Sequence, residues 1–551
     1  MTATEPQAAA ATGAADAPRW WDEAVGYQVY IRSFADSDGD GVGDLRGIHD
    51  RLDHLAWLGV KIVWITPFYP SPMLDHGYDV ADYRDIDPRF GTLDDFDALV
   101  ARAHDLDLKV VIDLVPNHTS DRHEWFAKAR SSRDNPHRDY YLWRDPAGDG
   151  GPPNNWKGHF GGDAWTYDEN TGQYWCHLFL PEQPDLNWRN PAVAEEFDGI
   201  LEFWFARGAD GFRIDVAHAL LKHSDLPDLP PAEAKLAEGV EGPVELPEFE
   251  SLDHVYDVDQ PEVTAVYRRW RGLADGHDAL LLGEVYILDA DRFSRYVDDD
   301  DGLHLGFWFP PLHVGWDAGE LRKALTKGAA IRGVSWVQGS HDRTRAATRF
   351  GGGELGKARQ LALATLMMGL PGTPFVYQGE ELGLLNGEVP RERWADPIAV
   401  RAGEIGHSRD GCRTPMLWEP GPGWGFTTAD DAWLPYGDRS DADTVAVQRD
   451  DPHSMLRRYR ALIALRNAEP DLRGGPVTWL THSGPILAYR RGEAIVAANA
   501  GDGLESLALP AGPWVVVFAT DGKRAGEREV ERARLGGQAA VVLKAVGVSS
   551  T

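Results

Sequence analysis

The 551 residues are 43% hydrophobic and include 21 tryptophans, enough apolar mass to fill a large core and too much for a disordered chain. The formal net charge of −32 excludes nucleic acid and anionic membrane as partners, because phosphate-rich surfaces require a basic complement. Two cysteines far apart in sequence, Cys176 and Cys412, provide neither a disulfide framework nor a CxxC metal site, and they suit a reducing compartment.

No Lys or Arg precedes Arg19, and the Ala-rich start lacks the basic and apolar regions of a secretory signal, so residues 1–19 read as a disordered tail. The longest apolar stretch, Leu361 to Leu370, is too short to span a bilayer. The expectation is a soluble cytoplasmic protein.

From Gly26 onward, short apolar runs alternate with amphipathic helices. Strands are expected at 26–34, 61–68, 109–118, 211–217, 279–286, 303–310, 334–342 and 372–382, each rich in β-branched or aromatic residues and bounded by Gly, Pro or polar positions. Between the first two lies a helix with Ile48, Leu52, Leu55 and Leu58 on one face. The next helix begins with Thr92 and Asp95 in a capping-box pattern and places Phe96, Leu99, Val100 and Ala103 on a stripe. Eight strands alternating with helices predict a closed (β/α)8 barrel over 20–118 and 191–470. Residues 119–190, rich in Trp, Gly, Asn and Asp and without a strong helix, read as a small irregular domain inserted after the third strand. Residues 383–450 form a long loop region. From 471 to 551 the texture becomes short alternating strands, as in a β-sandwich.

In such a barrel, functional side chains sit at the C-terminal ends of the strands. Those ends carry Asn117 and His118, then Arg213 and Asp215, then Glu284, then His341 and Asp342. A single Asp at a strand end is usually a cap or an ion-pair partner. Three carboxylates with His and Arg converging on one mouth suit glycoside hydrolysis, where a retaining mechanism needs a nucleophilic carboxylate and a carboxylic acid roughly 5 Å apart. Crowding among carboxylates raises the pKa of the one that must stay protonated.

The segments DLVPNH (113–118), GFRIDVAH (211–218), GEVYI (283–287) and SHD (340–342) resemble the four short regions of the α-amylase superfamily, glycoside hydrolase family 13. QPDLNW (183–188) resembles a fifth region of its oligo-1,6-glucosidase and α-glucosidase branch. The resemblance implies an exo-acting retaining α-glucosidase, with some transglucosylation, in which Asp215 is the nucleophile and Glu284 the acid/base. It makes Asp342 the carboxylate on the sugar 2- and 3-hydroxyls and His118 and His341 neutral hydrogen-bonding partners of glucose. Arg213 would hold Asp215 ionised. HGYDVADY (76–83) and SRDGCRTPM (408–416) resemble pocket-closing motifs, which implies Asp79 and Arg409 on the terminal 4- and 6-hydroxyls. Val216 accompanies α-1,6 preference in the branch, while Ala217 and His218 depart from that pattern and leave linkage open. Ser340 stands where the family usually has Asn.

In DSDGDGVGDL (36–45), oxygen ligands recur at Asp36, Asp38, Asp40, the Val42 carbonyl and Asp44. This alternation suits a hard cation, but Gly47 replaces the Glu an EF-hand needs at its twelfth position. The loop resembles the structural calcium loop of the glucosidase branch; no organic cofactor is expected. His218 and His223, five residues apart, do not make a zinc pair. The substrate expected is a small oligosaccharide or α-glucoside, with loops 219–253 and 383–410 choosing the acceptor. Two rival readings are a dedicated α-glucosyltransferase or isomerase acting on sucrose or maltose, and a catalytically dead barrel. Intact Asp215, Glu284 and Asp342 argue against the last.

Overall fold

The computed structural model describes residues 19–232, 246–297, 302–403, 408–522, 525–529 and 531–546. Of the tail expected over 1–19, residues 1–18 lie outside these residues, and Arg19 N donates to Asp22 Oδ2 at 2.9 Å.

Strands β1 (Gly26–Val29), β2 (Ile62–Ile65) and β3 (Lys109–Leu114) lead into the insertion, which holds β4 (Trp143–Arg144), β5 (Trp165–Asp168) and β6 (Gln173–Cys176). The barrel resumes with β7 (Gly211–Ile214), β8 (Leu280–Gly283), β9 (Leu305–Trp308), β10 (Val334–Trp336) and β11 (Thr373–Tyr377). The eight parallel strands close in the order β1-β11-β10-β9-β8-β7-β3-β2, a (β/α)8 barrel. Alternation along each strand sorts its side chains: Ile62 and Trp64 point into the barrel with Leu280, Leu282, Phe307 and Phe375, while Val63 and Ile65 pack outward against the helices. Trp21 joins the inner cluster, its ring 4.5 Å from that of His304.

Each strand is shorter than its apolar run. β7 stops at Ile214 and β10 at Trp336, and the rest of each run turns into the loop that carries the chemistry.

The helices form where their patterns place them. Leu45–Leu58 is capped by Asp44, which accepts from Gly47 N, and ends at Gly59 in the left-handed region at φ 97°. Its Ile48, Leu52, Leu55 and Leu58 are fully buried, each contributing about 2 kcal/mol by area removed from water. Leu93–Asp105 begins with the expected Thr92–Asp95 capping box. The apolar stretch at 361–370 belongs to the helix Gly353–Gly369, which is buried nearly all round because barrel and C-terminal sheet cover opposite sides of it.

That C-terminal domain is wholly antiparallel. Strands β12 (Thr478–Trp479), β13 (Ile486–Arg491), β14 (Ala494–Asn499), β15 (Glu505–Ala508), β16 (Trp514–Ala519), β17 (Arg528–Glu529), β18 (Arg532–Leu535) and β19 (Ala540–Ala545) form a sheet β12-β13-β14-β19-β16-β17 and a ribbon β15-β18. Ile486, Ala488 and Ile495 face the ribbon, and Leu487, Tyr489 and Val496 face the barrel helices. Tyr489 closes on the backbone at Gly369, where a Cβ would lie 2.4 Å from its hydroxyl.

The insertion corrects one expectation. Residues Glu124–Ser131 form an α-helix, begun by His123, whose side chain accepts from Trp125 N, and held by burial of Trp125, Phe126 and Ala129. Its short length hid the period from sequence. The three-stranded antiparallel sheet β4-β6-β5 packs beside it through Trp143, which stacks on Phe126 at 5.7 Å.

Candidate active site

Adjacent strands β3, β7 and β8 bring three carboxylates to one guanidinium. The register pairs Asp113 with Arg213 across β3 and β7. Arg213, 2% exposed, donates from Nη1 to Asp113 Oδ1 at 2.9 Å and to Asp215 Oδ1 at 2.6 Å; its Nη2 lies 2.9 Å from Glu284 Oε2. Backbone bonds carry the ladder one step past the strands: Asp215 N donates to Leu114 O at 2.8 Å and Glu284 N to Ile214 O at 2.9 Å. Val216 then takes φ +44°, a strained conformation for a β-branched residue, and its N–H is thereby aimed at Glu284 Oε2 at 2.9 Å.

The electrostatics follow from this crowding. One cation cannot neutralise three ionised carboxylates, so the group retains a proton. Burial pushes Asp113 up to about 7 against the pull of Arg213, with Glu284 adding to the rise. Burial also raises Asp215 well above the carboxylate range; Arg213 opposes this, and Glu284 and Asp113 reinforce it. Arg213 favours the ionised form of Asp215, as expected, but it shares that pull with Asp113 and Glu284.

Across the cavity, Asp342 follows β10. Burial alone would raise its carboxyl, but His341, Arg409 and Arg413 outweigh burial and hold it well below the usual range. Arg413 Nη2 donates to Asp342 Oδ1 at 2.9 Å and Arg409 Nη1 at 3.2 Å. Gln28 Nε2 donates to His341 Nδ1 at 2.6 Å, which puts the ring proton on Nε2, 3.1 Å from Asp342 Oδ2 and 2.7 Å from Tyr78 Oη. Burial depresses His341 far below its ordinary pKa and His118 to about 3, so both are neutral. Ser340 Oγ accepts from Asp342 N at 3.2 Å and so shapes the turn in place of the usual Asn.

The pocket-closing pair differs from expectation. Asp79 is fully buried and faces away from the cavity: its carboxylate accepts from Ser71 Oγ at 2.7 Å, Leu74 N at 2.9 Å and Asp75 N at 3.2 Å. It shapes the loop that presents Asp75, and Asp75 is the residue paired with Arg409, at 3.1 Å. Arg409 is in turn gripped by Asp396, whose oxygens lie 2.8 Å from Nη2 and 3.0 Å from Nε. The carboxylate that lines the cavity beside Arg409 is thus Asp75, four residues before the expected Asp79.

Several of these groups line a cavity of about 130 Å³ that opens to solvent. Asp215, Glu284, Asp342, His118, His341, Val216 and Arg409 all reach it, as does His218 at its rim. Sequence reasoning missed Tyr78, Phe160, Phe179, Tyr286 and Arg343, which complete the wall. It also missed the buried Lys222, which pairs with Asp185 at 2.8 Å and donates to Asn117 Oδ1 at 2.7 Å behind His118.

Outside this cavity, Asp36, Asp38 and Asp40 each offer an oxygen, all within 4.8 Å of one another. Three acidic oxygens at that spacing fit a hard divalent cation. Asp44 is turned toward its helix, accepting from Gly47 N at 2.7 Å, from Ser37 N at 2.7 Å and from Ser37 Oγ at 2.9 Å. Among the described residues no helix is long and apolar enough to cross a membrane.

Residues 28–475 match the catalytic domain of α-amylase, and with the barrel and its three carboxylates this places the chain in the α-amylase family of glycosidases. Within that family it falls in the α-glucosidase branch. It is 42% identical over 482 residues to a probable alpha-glucosidase of Rhizobium meliloti (strain 1021), covering 86% of this chain and 87% of the relative. It is 37% identical over 545 residues to the oligo-1,6-glucosidase of Heyndrickxia coagulans, covering 91% and 95%. The crystal structure of XgtA, an alpha-glucosyl transfer enzyme, has a TM-score of 0.90 and 40% identity, covering 96% of this chain and all of that one.

The two candidate pocket carboxylates separate by experiment. Asp79→Asn should cost about 1–3 kcal/mol of stability, since it turns an amide toward two backbone donors. Asp75→Asn should instead weaken binding of a glucose-shaped iminosugar by about ten-fold while changing thermal unfolding less. The opposite pattern in calorimetric titration and melting would return the contact to Asp79.

Proposed function

We propose that the chain is an exo-acting retaining α-glucosidase that releases terminal non-reducing α-linked glucose from short oligosaccharides or α-glucosides. The observation that carries this reading is the Asp215–Glu284 pair joined by Arg213, set in a cavity whose other side is closed by Asp75, Arg409 and Asp396. A shared guanidinium keeps the two carboxyl groups close, as a retaining pair at about 5 Å requires, without the wider gap an inverting enzyme leaves for water.

In this reading Asp215 attacks the anomeric carbon while Glu284 delivers its proton to the departing oxygen, and a β-glucosyl-enzyme forms. Glu284, now ionised, takes a proton from an incoming water, which displaces Asp215. Asp342 holds the 2- and 3-hydroxyls, and its depressed pKa keeps it a pure acceptor. Neutral His118 and His341 donate without adding charge beside the developing oxocarbenium ion. Asp75 and Arg409 take the 4- and 6-hydroxyls.

A sugar hydroxyl in place of water gives transglucosylation through the same intermediate. The likeness to XgtA supports a second reading in which transfer dominates. A product time course on maltose and sucrose separates the two by free glucose against transfer products.

We also propose calcium on Asp36, Asp38 and Asp40, in a structural role, with Asp44 capping the following helix and not completing the site as the sequence suggested.

Asp215→Asn should lower turnover by several orders of magnitude with the fold intact. Glu284→Gln should slow maltose far more than a nitrophenyl α-glucoside, whose leaving group needs no proton. Equal losses on both substrates would remove Glu284 as the acid.

A maltooligosaccharide blocked at its non-reducing 4- and 6-positions should resist cleavage while the free chain yields glucose, because the Asp75–Arg409 end would be left unsatisfied. Internal cleavage of the blocked chain would show an open groove and an endo-acting enzyme.

Chelation should lower the melting temperature, and added calcium should restore it, by mass action on the folded state. A melting curve indifferent to both would remove the metal.

A further inference from the structure

The long loop after β7 folds back onto the inserted domain. Of the two loops expected to choose the acceptor, residues 233–245 and 404–407 lie outside the described residues, while Leu246–Asp257 are described. The short helix Pro247–Glu250 grips the turn of the insertion at Gly161 and Gly162. Glu248 Oε1 accepts from Gly162 N at 2.6 Å, and a Cβ on Gly161 would stand 2.6 Å from Leu246 Cδ1. From another side Arg401 Nη2 donates to Gly161 O at 3.3 Å. His254 is held at both ring nitrogens: Nδ1 lies 2.5 Å from Asp257 Oδ2 and Nε2 lies 2.9 Å from Phe249 O. A carbonyl oxygen and an ionised carboxylate can only accept, so both nitrogens carry protons and the pair is an imidazolium on the fully buried Asp257. The His254 ring stacks on Phe249 at 3.8 Å, Phe249 meets His159 at 4.0 Å, and His159 stacks on Phe179 at 4.6 Å. Phe179 in turn lies 5.1 Å from His118, and His159, Phe179 and His118 all line the cavity. A column of rings thus runs from an ion pair in the loop to the cavity wall.

We infer that His254 is a positioning residue, whose imidazolium pins the Pro247–Glu250 helix against the insertion and so fixes the cavity wall of His159 and Phe179. Its effect on substrate rests on the α-glucosidase reading above, since it needs a sugar in that cavity. The same segment also reaches the end that holds Arg409. Leu246 packs with Phe160, Leu180 and Ile398, and the Arg409 guanidinium centre lies 5.2 Å from the Phe160 ring. The charged groups around His254 are Asp257 and Asp253 on its own segment, Glu248 and Glu250 on the short helix, and the titratable His159 on the insertion. Burial lowers the His254 pKa, but Asp257 outweighs it by hydrogen bond and charge, helped by Phe249 O and Asp253, and the net shift is upward from 6.5. Burial depresses His159 well below its ordinary value, and the cation at His254 adds to this, so the ring in the wall is neutral. A histidine raised in the folded state contributes its bonds fully below its ordinary pKa and loses them as pH rises through the raised one. Deprotonation leaves one ring nitrogen as an acceptor facing an acceptor, and the column loses its outer anchor. Substrate binding is thereby tied to a proton held outside the catalytic carboxylates.

The test follows histidine ring signals by NMR across pH, with His254 assigned by its loss in His254→Gln, beside maltose kinetics and thermal melting of wild type, His254→Gln and Asp257→Asn. The His254 signal should titrate above 6.5, and the His159 signal should shift with the same midpoint, because Phe249 joins the two rings. Asp257→Asn, which removes the anion, should move that midpoint and the alkaline rise in maltose KM to lower pH together. His254→Gln retains one donor only, so its KM at neutral pH should be raised about five-fold with kcat changed less, consistent with loss of one charge-assisted hydrogen bond. A His254 ring that titrates at its ordinary value would overturn the inference, as would a His159 signal indifferent to that step. A His254→Gln protein with wild-type KM and a lowered melting temperature would also overturn it, since the histidine would then support the fold alone. A wild-type protein that cleaves no α-glucoside, while both ring signals titrate together, would overturn the α-glucosidase reading and leave the pinned wall standing.

Discussion

Arg213 is the contact on which the rest of the site depends. A guanidinium buried at 2% exposure has to be matched by carboxylates, and three of them from three adjacent strands supply the match. Each is tied in turn to something else. Asp113 accepts from Trp64 Nε1 and Tyr78 Oη, Glu284 accepts from the strained Val216 N–H, and Tyr78 reaches across to His341. Displacing the guanidinium would leave several like charges facing one another in a low-dielectric pocket. The same crowding that makes the group unstable without Arg213 leaves it a proton to give.

The cavity is asymmetric in charge as well as shape. On one side, two arginines, Arg409 and Arg413, are shared among three carboxylates, Asp342, Asp75 and Asp396, through four ion pairs. On the nucleophile side, one arginine, Arg213, faces three carboxylates, so the excess of acid is larger. A ligand with neutral hydroxyls can be held by the first set, and positive charge arising at its anomeric carbon is stabilised by the second.

What the sequence revealed was periodic or local. Eight apolar runs set the barrel, and residues such as Asp215, Glu284 and Asp342 were legible because each stands just past a run in a recognisable motif. Asp113 was also within reach: it lies in β3 as a buried charge, and its partner Arg213 occupies the matching position in β7. Asp75 was harder, because Asp75 and Asp79 share one loop and differ only in which way that loop folds. Three donors from Ser71, Leu74 and Asp75 itself turn Asp79 inward, a hydrogen-bonding outcome that residue type does not encode. Tyr286 and Arg343 lay beside recognised residues and carried no signal of their own. The helix Glu124–Ser131 was hidden by its two turns, too few for a period to emerge against an aromatic-rich background.

The contact between Asp75 and Arg409 spans 334 residues of chain. Its two halves come from the second and the last strand-to-helix loops of the barrel, so this end of the cavity exists only after every strand between them has closed the ring. A nascent chain carries Asp215 and Glu284 long before Arg409 has been made. Such a barrel, rich in non-local pairings, completes its pocket late in folding. The far wall of the cavity is therefore itself a record that the ring has closed: a partly folded chain can own its acids and still lack the wall that faces them.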